Sequence, residues 1–72
     1  MALAAQDRQI LEHVDQQVQT TTEAIAAALG RDHGDIIAAV ERLRHSGYVT
    51  LADQFSGKAV RITREGTEAL SS

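Results

Sequence analysis

The 72-residue sequence has no cysteine, no proline, no tryptophan, and only one tyrosine and one phenylalanine. Without cysteine there is no disulfide, no thiolate metal site and no thiol nucleophile, a composition that fits a reducing cytoplasm. Without proline, no position breaks a helix or a strand by losing its backbone N–H. Long apolar runs are missing too. The opening "MALAA" is too short for the apolar part of a signal peptide and lacks a basic start, and no stretch approaches the roughly 20 residues that span a bilayer. A membrane is therefore not an expected partner.

Short length excludes more. A chain of this size buries only about 60% of its unfolded surface, which leaves little room for a catalytic cleft. No glycine-framed turn surrounds a serine, and no glycine-rich loop could cradle a phosphate. His13, His33 and His45 share no i,i+4 spacing and have no cysteine to help them, so no metal is expected. The expectation is one non-enzymatic domain over residues 1–72, with no cofactor.

Apolar residues make up 43% of the chain, ordinary for a folded domain. The net charge is −3, mildly adverse to a nucleic-acid partner, but its distribution is uneven. Up to residue 29, Arg8 stands against Asp7, Glu12, Asp15 and Glu23. Arg31, Arg42 and Arg44 then balance Asp32, Asp35 and Glu41, and Lys58, Arg61 and Arg64 outweigh Asp53 before the tail adds Glu65 and Glu68. Positive charge thus lies from the middle of the chain onward; the plain alternative is a scatter of solvated charges.

Periodicity organises the rest. Ile10, Leu11, Val14 and Val18 recur at helical spacing, so a first amphipathic helix is expected from about Gln6 to Gln17. Thr20 and Glu23 have capping-box spacing ahead of a short, alanine-rich second helix that ends on Gly30. Asp32 is the expected cap of a third helix whose buried stripe is Ile36, Val40 and Leu43, with Asp35 favourable to the helix dipole and Gly47 as the stop. "YVTLAD" and "KAVRIT" alternate with period two around "QFSG", a β-hairpin signature, and Thr63 offers a cap for a last short helix through Leu70. The expected order is helix, short strand, helix, helix, strand, strand, helix.

That order, together with Ile25-Ala26, Leu29-Gly30, Ile36, Val40, Leu43, Gly47-Tyr48-Val49 and the ending "ITREGTEAL", resembles the winged helix-turn-helix transcription regulators, in particular the small MarR-like or PadR-like domains. The resemblance runs from about Asp7 to Leu70. It implies an α+β, mostly α fold: a three-helix core, a β-hairpin wing over about 48–63, a short C-terminal helix, and a recognition helix over about 32–46. It also implies double-stranded DNA as partner, with the third helix in the major groove and the wing on the backbone or minor groove.

At 100° per residue, turning the apolar stripe inward places Gly34, Ala38, Glu41 and His45 outward. Ile37 and Arg44 flank one side, Asp35 and Arg42 the other. Bidentate base readout needs Arg, Lys, Asn or Gln, and none occupies the centre of that line. Glu41 would repel phosphate, although it could accept from a cytosine amino group, and the small residues would let the helix approach closely. The expected phosphate contacts are Arg31, Arg42, Arg44 and Lys58, with Thr22 and His33 near helix N-termini. Each has an ordinary alternative: Arg42 could pair with Asp35 or with neighbours of Glu41, Arg44 could solvate the flank, and Lys58 could guard a hairpin edge. A homodimer joined through the first and last helices is expected, since operators present two half-sites and one module covers a modest area. The competing reading is an interaction module that holds a protein through Ile37 and Ala38, or through Phe55.

Overall fold

The computed structural model describes residues 3–17, 19–54 and 57–71, with backbone alone at 53, 54, 57 and 58. Val18, Phe55 and Ser56 lie outside the described residues, as does the side chain of Lys58. The elements run α1 (Ala5–Gln16), β1 (Thr20–Thr21), α2 (Thr22–Leu29), α3 (His33–His45), β2 (Val49–Gln54), β3 (Gly57–Ile62) and α4 (Arg64–Ser71). This is the expected order and fold class, with the first helix one residue earlier than periodicity placed it.

Local chemistry explains where the elements start and stop. Thr21, rather than Thr20, caps α2: its Oγ1 accepts from the Ala24 N–H at 3.0 Å. Thr20 is instead held extended in β1, opposite Val60, and is nearly buried. The spacing argument failed there because the helix starts at Thr22, so the residue in capping position is Thr21. Gly30 closes α2 in the left-handed region (φ 64°), where only glycine is free of Cβ strain, and the Arg31 N–H then reaches back to the Ala26 carbonyl at 3.0 Å. Asp32 caps α3 as expected, accepting from the Gly34 N–H at 3.0 Å.

The sheet has three antiparallel strands in the order β1-β3-β2. β2 and β3 form the wing hairpin, pairing Val49 with Ile62 and Leu51 with Val60, out to Gln54 with Gly57. Val49 and Val60 are buried, Thr50 and Arg61 exposed, as the alternation requires. Ala59 departs from the alternation and is only 1% exposed. It sits on the central strand between Thr21 and Ala52, and a single methyl group with neighbours on both edges is easily covered.

The core gathers one stripe from each element. Ile10, Leu11 and Val14 of α1, Ile25 of α2, Ile36, Val40 and Leu43 of α3, Val49 and Val60 are the largest fully buried side chains, and Ala39 closes the α3 stripe. α4 docks through a close backbone approach. A Cβ on Gly66 would collide with the Tyr48 carbonyl oxygen and come within 2.8 Å of Ile62 Cγ1. Thr63 fixes that corner: its Oγ1 donates to the Gly47 carbonyl at 2.6 Å and accepts the Gly66 N–H at 3.1 Å.

Two substitutions test this packing. Leu43→Ala should lose about 2–5 kcal/mol of unfolding free energy in urea titration, the usual effect of truncating a central core leucine; an unchanged midpoint would mean the inner face of α3 is wrongly assigned. Gly66→Ala should also destabilise, by roughly 1–3 kcal/mol. Helix propensity alone favours alanine by about 0.5–1 kcal/mol, so the sign of the change separates the close approach from an ordinary helix position.

Candidate nucleic-acid interface

The inward turn of Ile36, Ala39, Val40 and Leu43 leaves Gly34, Ile37, Ala38, Arg42, Arg44 and His45 exposed on α3, with Glu41 half-buried. Among the described residues Ile37 is the exposed large apolar one, 41% accessible. It lies in a groove of about 230 Å³ between α3 and β2, floored by Val40 and Leu51 and bordered by Thr22, Glu23, His33 and Glu41. The N-terminus of α2, the outer line of α3 and the base of the wing therefore form one continuous surface.

Every described arginine expected on this surface has an internal partner. Arg44 donates through Nε (3.2 Å) and Nη2 (2.8 Å) to Oε2 of Glu41, an exposed i,i+3 pair. Arg31, in the turn before α3, donates through Nη2 to Gln9 Oε1 at 3.4 Å. Arg42 pairs with neither Asp35 nor neighbours of Glu41. Its Nη2 lies 2.9 Å from Oδ1 of Asp7, on α1. Asp7 precedes Ile10, Leu11 and Val14 by three, four and seven residues, so it occupies the inner stripe of α1 and is buried. The hydrogen bond that Arg42 donates to Asp7, and then the negative charge of Asp7, hold the Arg42 guanidinium pKa above its ordinary value. Sequence reasoning missed Asp7 and Gln9. The available signal was an acid at an apolar-stripe position, which is rarely buried without a cation.

Thr22 and His33 are brought together. Thr22 is buried at the start of α2, and its Oγ1 lies 2.9 Å from His33 Nε2 at the start of α3. The bond spans the helix-turn-helix, tying the first residue of α2 to the first residue of α3 and leaving Nδ1 as the second polar atom of the imidazole. Gly34 has its N–H occupied by Asp32. Lys58 is placed by its backbone on β3, opposite Asp53 near the wing tip. His13 is on α1, while His33 and His45 stand at opposite ends of α3. Among the described residues no three acidic or histidine side chains gather as a metal site, and no helix is long and apolar enough to cross a membrane.

A three-helix core with a hairpin beside the outer face of its third helix is the architecture of a winged helix-turn-helix domain. The chain belongs to the winged helix DNA-binding domain family, whose pattern matches residues 3–66. No curated protein matches it in sequence. Among solved structures, a MarR-family transcriptional regulator from Rhodococcus sp. RHA1 superposes with a TM-score of 0.89 at 24% identity, over 96% of this chain and 51% of that one. MarR from E. coli superposes at 0.89 and 19% identity in its apo form, over 96% of this chain and 53% of that one. A variant of the same protein complexed with operator DNA gives 0.88 and 19%, over 96% and 51%. The chain thus spans about half the length of the regulators it superposes on.

If the Thr22–His33 bond ties the two helix starts together, Thr22→Val and His33→Ala should be coupled. A double-mutant cycle in urea should give an interaction energy of about 0.5–1.5 kcal/mol; strictly additive losses would remove the bond from this role.

Proposed function

We propose that this chain is the DNA-binding part of a transcription regulator, which lays α3 in the major groove of double-stranded DNA with the β2–β3 wing against the adjacent backbone. The observation that carries this reading is the outward line of α3 beside the wing, exposed at Gly34, Ala38 and His45 and half-buried at Glu41, in a fold it has in common with a MarR variant complexed with operator DNA. Small residues on that line allow close approach, and Ile37 and Ala38 are suited to thymine methyl groups. Arg31 and Lys58 are the proposed phosphate contacts, and His33 adds the second nitrogen of its ring at the helix N-terminus. Arg44 has its Nε and Nη2 on Glu41, which leaves Nη1 for a phosphate and offsets the charge it brings. The helix therefore positions more than it reads.

The regulator is proposed to act as a homodimer through its first and last helices, so that two such modules meet two half-sites. A second reading rests on the exposed Ile37 in its groove: a winged-helix module that binds a protein there.

Titration of labelled duplex DNA across a salt series separates the two. DNA binding should appear at low salt with a steep negative slope of log K against log salt, and Arg31→Ala and Lys58→Ala should each lower that slope by roughly one unit and weaken all sequences alike. Glu41→Gln should strengthen binding to random-sequence duplex, because it removes a negative charge and releases Arg44. No binding at low salt would hand the surface to the protein-partner reading.

A further inference from the structure

The Arg42–Asp7 pair is asymmetric. The Arg42 side chain is 56% exposed and that of Asp7 only 12%. A buried carboxylate stripped of its cation is left with an uncompensated charge, whereas an exposed guanidinium has solvent or a phosphate as alternative company. Arg42 stands on α3 one step from the outward line, within the surface assigned to DNA, so a phosphate there would meet a guanidinium whose Nη2 is already held by Asp7 at 2.9 Å and whose charge that carboxylate offsets. The neighbouring cation does not relieve Asp7. Arg8 donates to the Leu70 carbonyl at 3.0 Å and lies 3.9 Å from Glu12. Nor do the other arginines resemble this one. Arg44 meets Glu41 in an exposed pair of one helix, a type that yields readily to a better partner, and Arg31 meets only a neutral amide at 3.4 Å.

We infer that Asp7 is a specificity-determining residue: from inside the domain it withholds Arg42 from the DNA backbone and so restrains sequence-independent affinity. This rests on the DNA-binding reading above. Phosphate contacts add affinity for every sequence equally, while base contacts add it only for the right one. A surface whose outer line offers few base-reading donors gains discrimination by keeping a cation off the backbone. The carboxylate that does so sits on α1 and never touches DNA.

The test is the salt dependence of binding to a random-sequence duplex for the wild type, Asp7→Asn, and Asp7→Asn/Arg42→Gln, with folding of each followed by circular dichroism. Asp7→Asn should bind roughly threefold or more tightly at low salt, with a slope steeper by about one unit; the double variant should return both to wild-type values. In parallel, the Arg42 Nε–Hε resonance of 15N-labelled wild type should keep its shift on adding the duplex while that of Arg31 moves, a measurement that does not depend on any variant folding. An unchanged slope in Asp7→Asn, a gain that survives loss of Arg42, or an Arg42 resonance that moves like that of Arg31 overturns the inference alone. Absence of salt-dependent binding by the wild type overturns the DNA-binding reading and the inference together.

Discussion

Ile36, Ala39, Val40 and Leu43 commit one side of α3 to the core, each 1% exposed or less, and no other set of residues on that helix could take their place. A domain of this size has no second core to share the load. The rotation of α3 about its own axis is thereby determined by burial, and the opposite face is determined with it. Whatever α3 presents to a partner is what the core leaves over: glycine, alanine, isoleucine, a tethered glutamate and histidine. The chemistry of the outer surface is a by-product of the inner one until a side chain is added that the core does not need.

Charge on this surface is organised from beneath. Arg31, Arg42 and Arg44 look from the sequence like three cations available to DNA, yet their partners differ in kind: a neutral amide, a buried acid and an exposed acid on the same helix. Three arginines with one formal charge each thus present three different affinities for an incoming anion. Counting them as equals would misjudge both the strength and the salt response of any complex.

The elements and core were legible in the sequence because their signals are local. The i,i+3,i+4 steps of α1 and α3, the Gly30 and Gly47 stops, the Asp32 cap and the alternation of Val49, Leu51, Val60 and Ile62 all operate within a few residues. The outer line of α3 was legible for the same reason. What could not be read was pairing across the fold. Arg42 meets a residue 35 positions away, Arg31 one 22 away and His33 one 11 away, and periodicity carries no information about which α1 residue faces which α3 residue. The capping of α2 failed differently: two adjacent threonines each satisfy a capping rule, and the helix begins at Thr22, which makes Thr21 the residue in capping position.

That two-residue strand has a kinetic meaning. β1 sits on the β3 edge of the sheet, not beside the strand that follows it in sequence, so it can form only after α2, α3 and the whole hairpin have been made and brought back. Because Thr21 is both a strand residue and the cap of α2, the N-terminal end of the helix-turn-helix is completed by the last part of the sheet to be synthesised. Such non-local closure slows folding relative to a plain three-helix bundle. A nascent chain that has emerged only as far as α3 lacks β3, the strand with which β1 pairs.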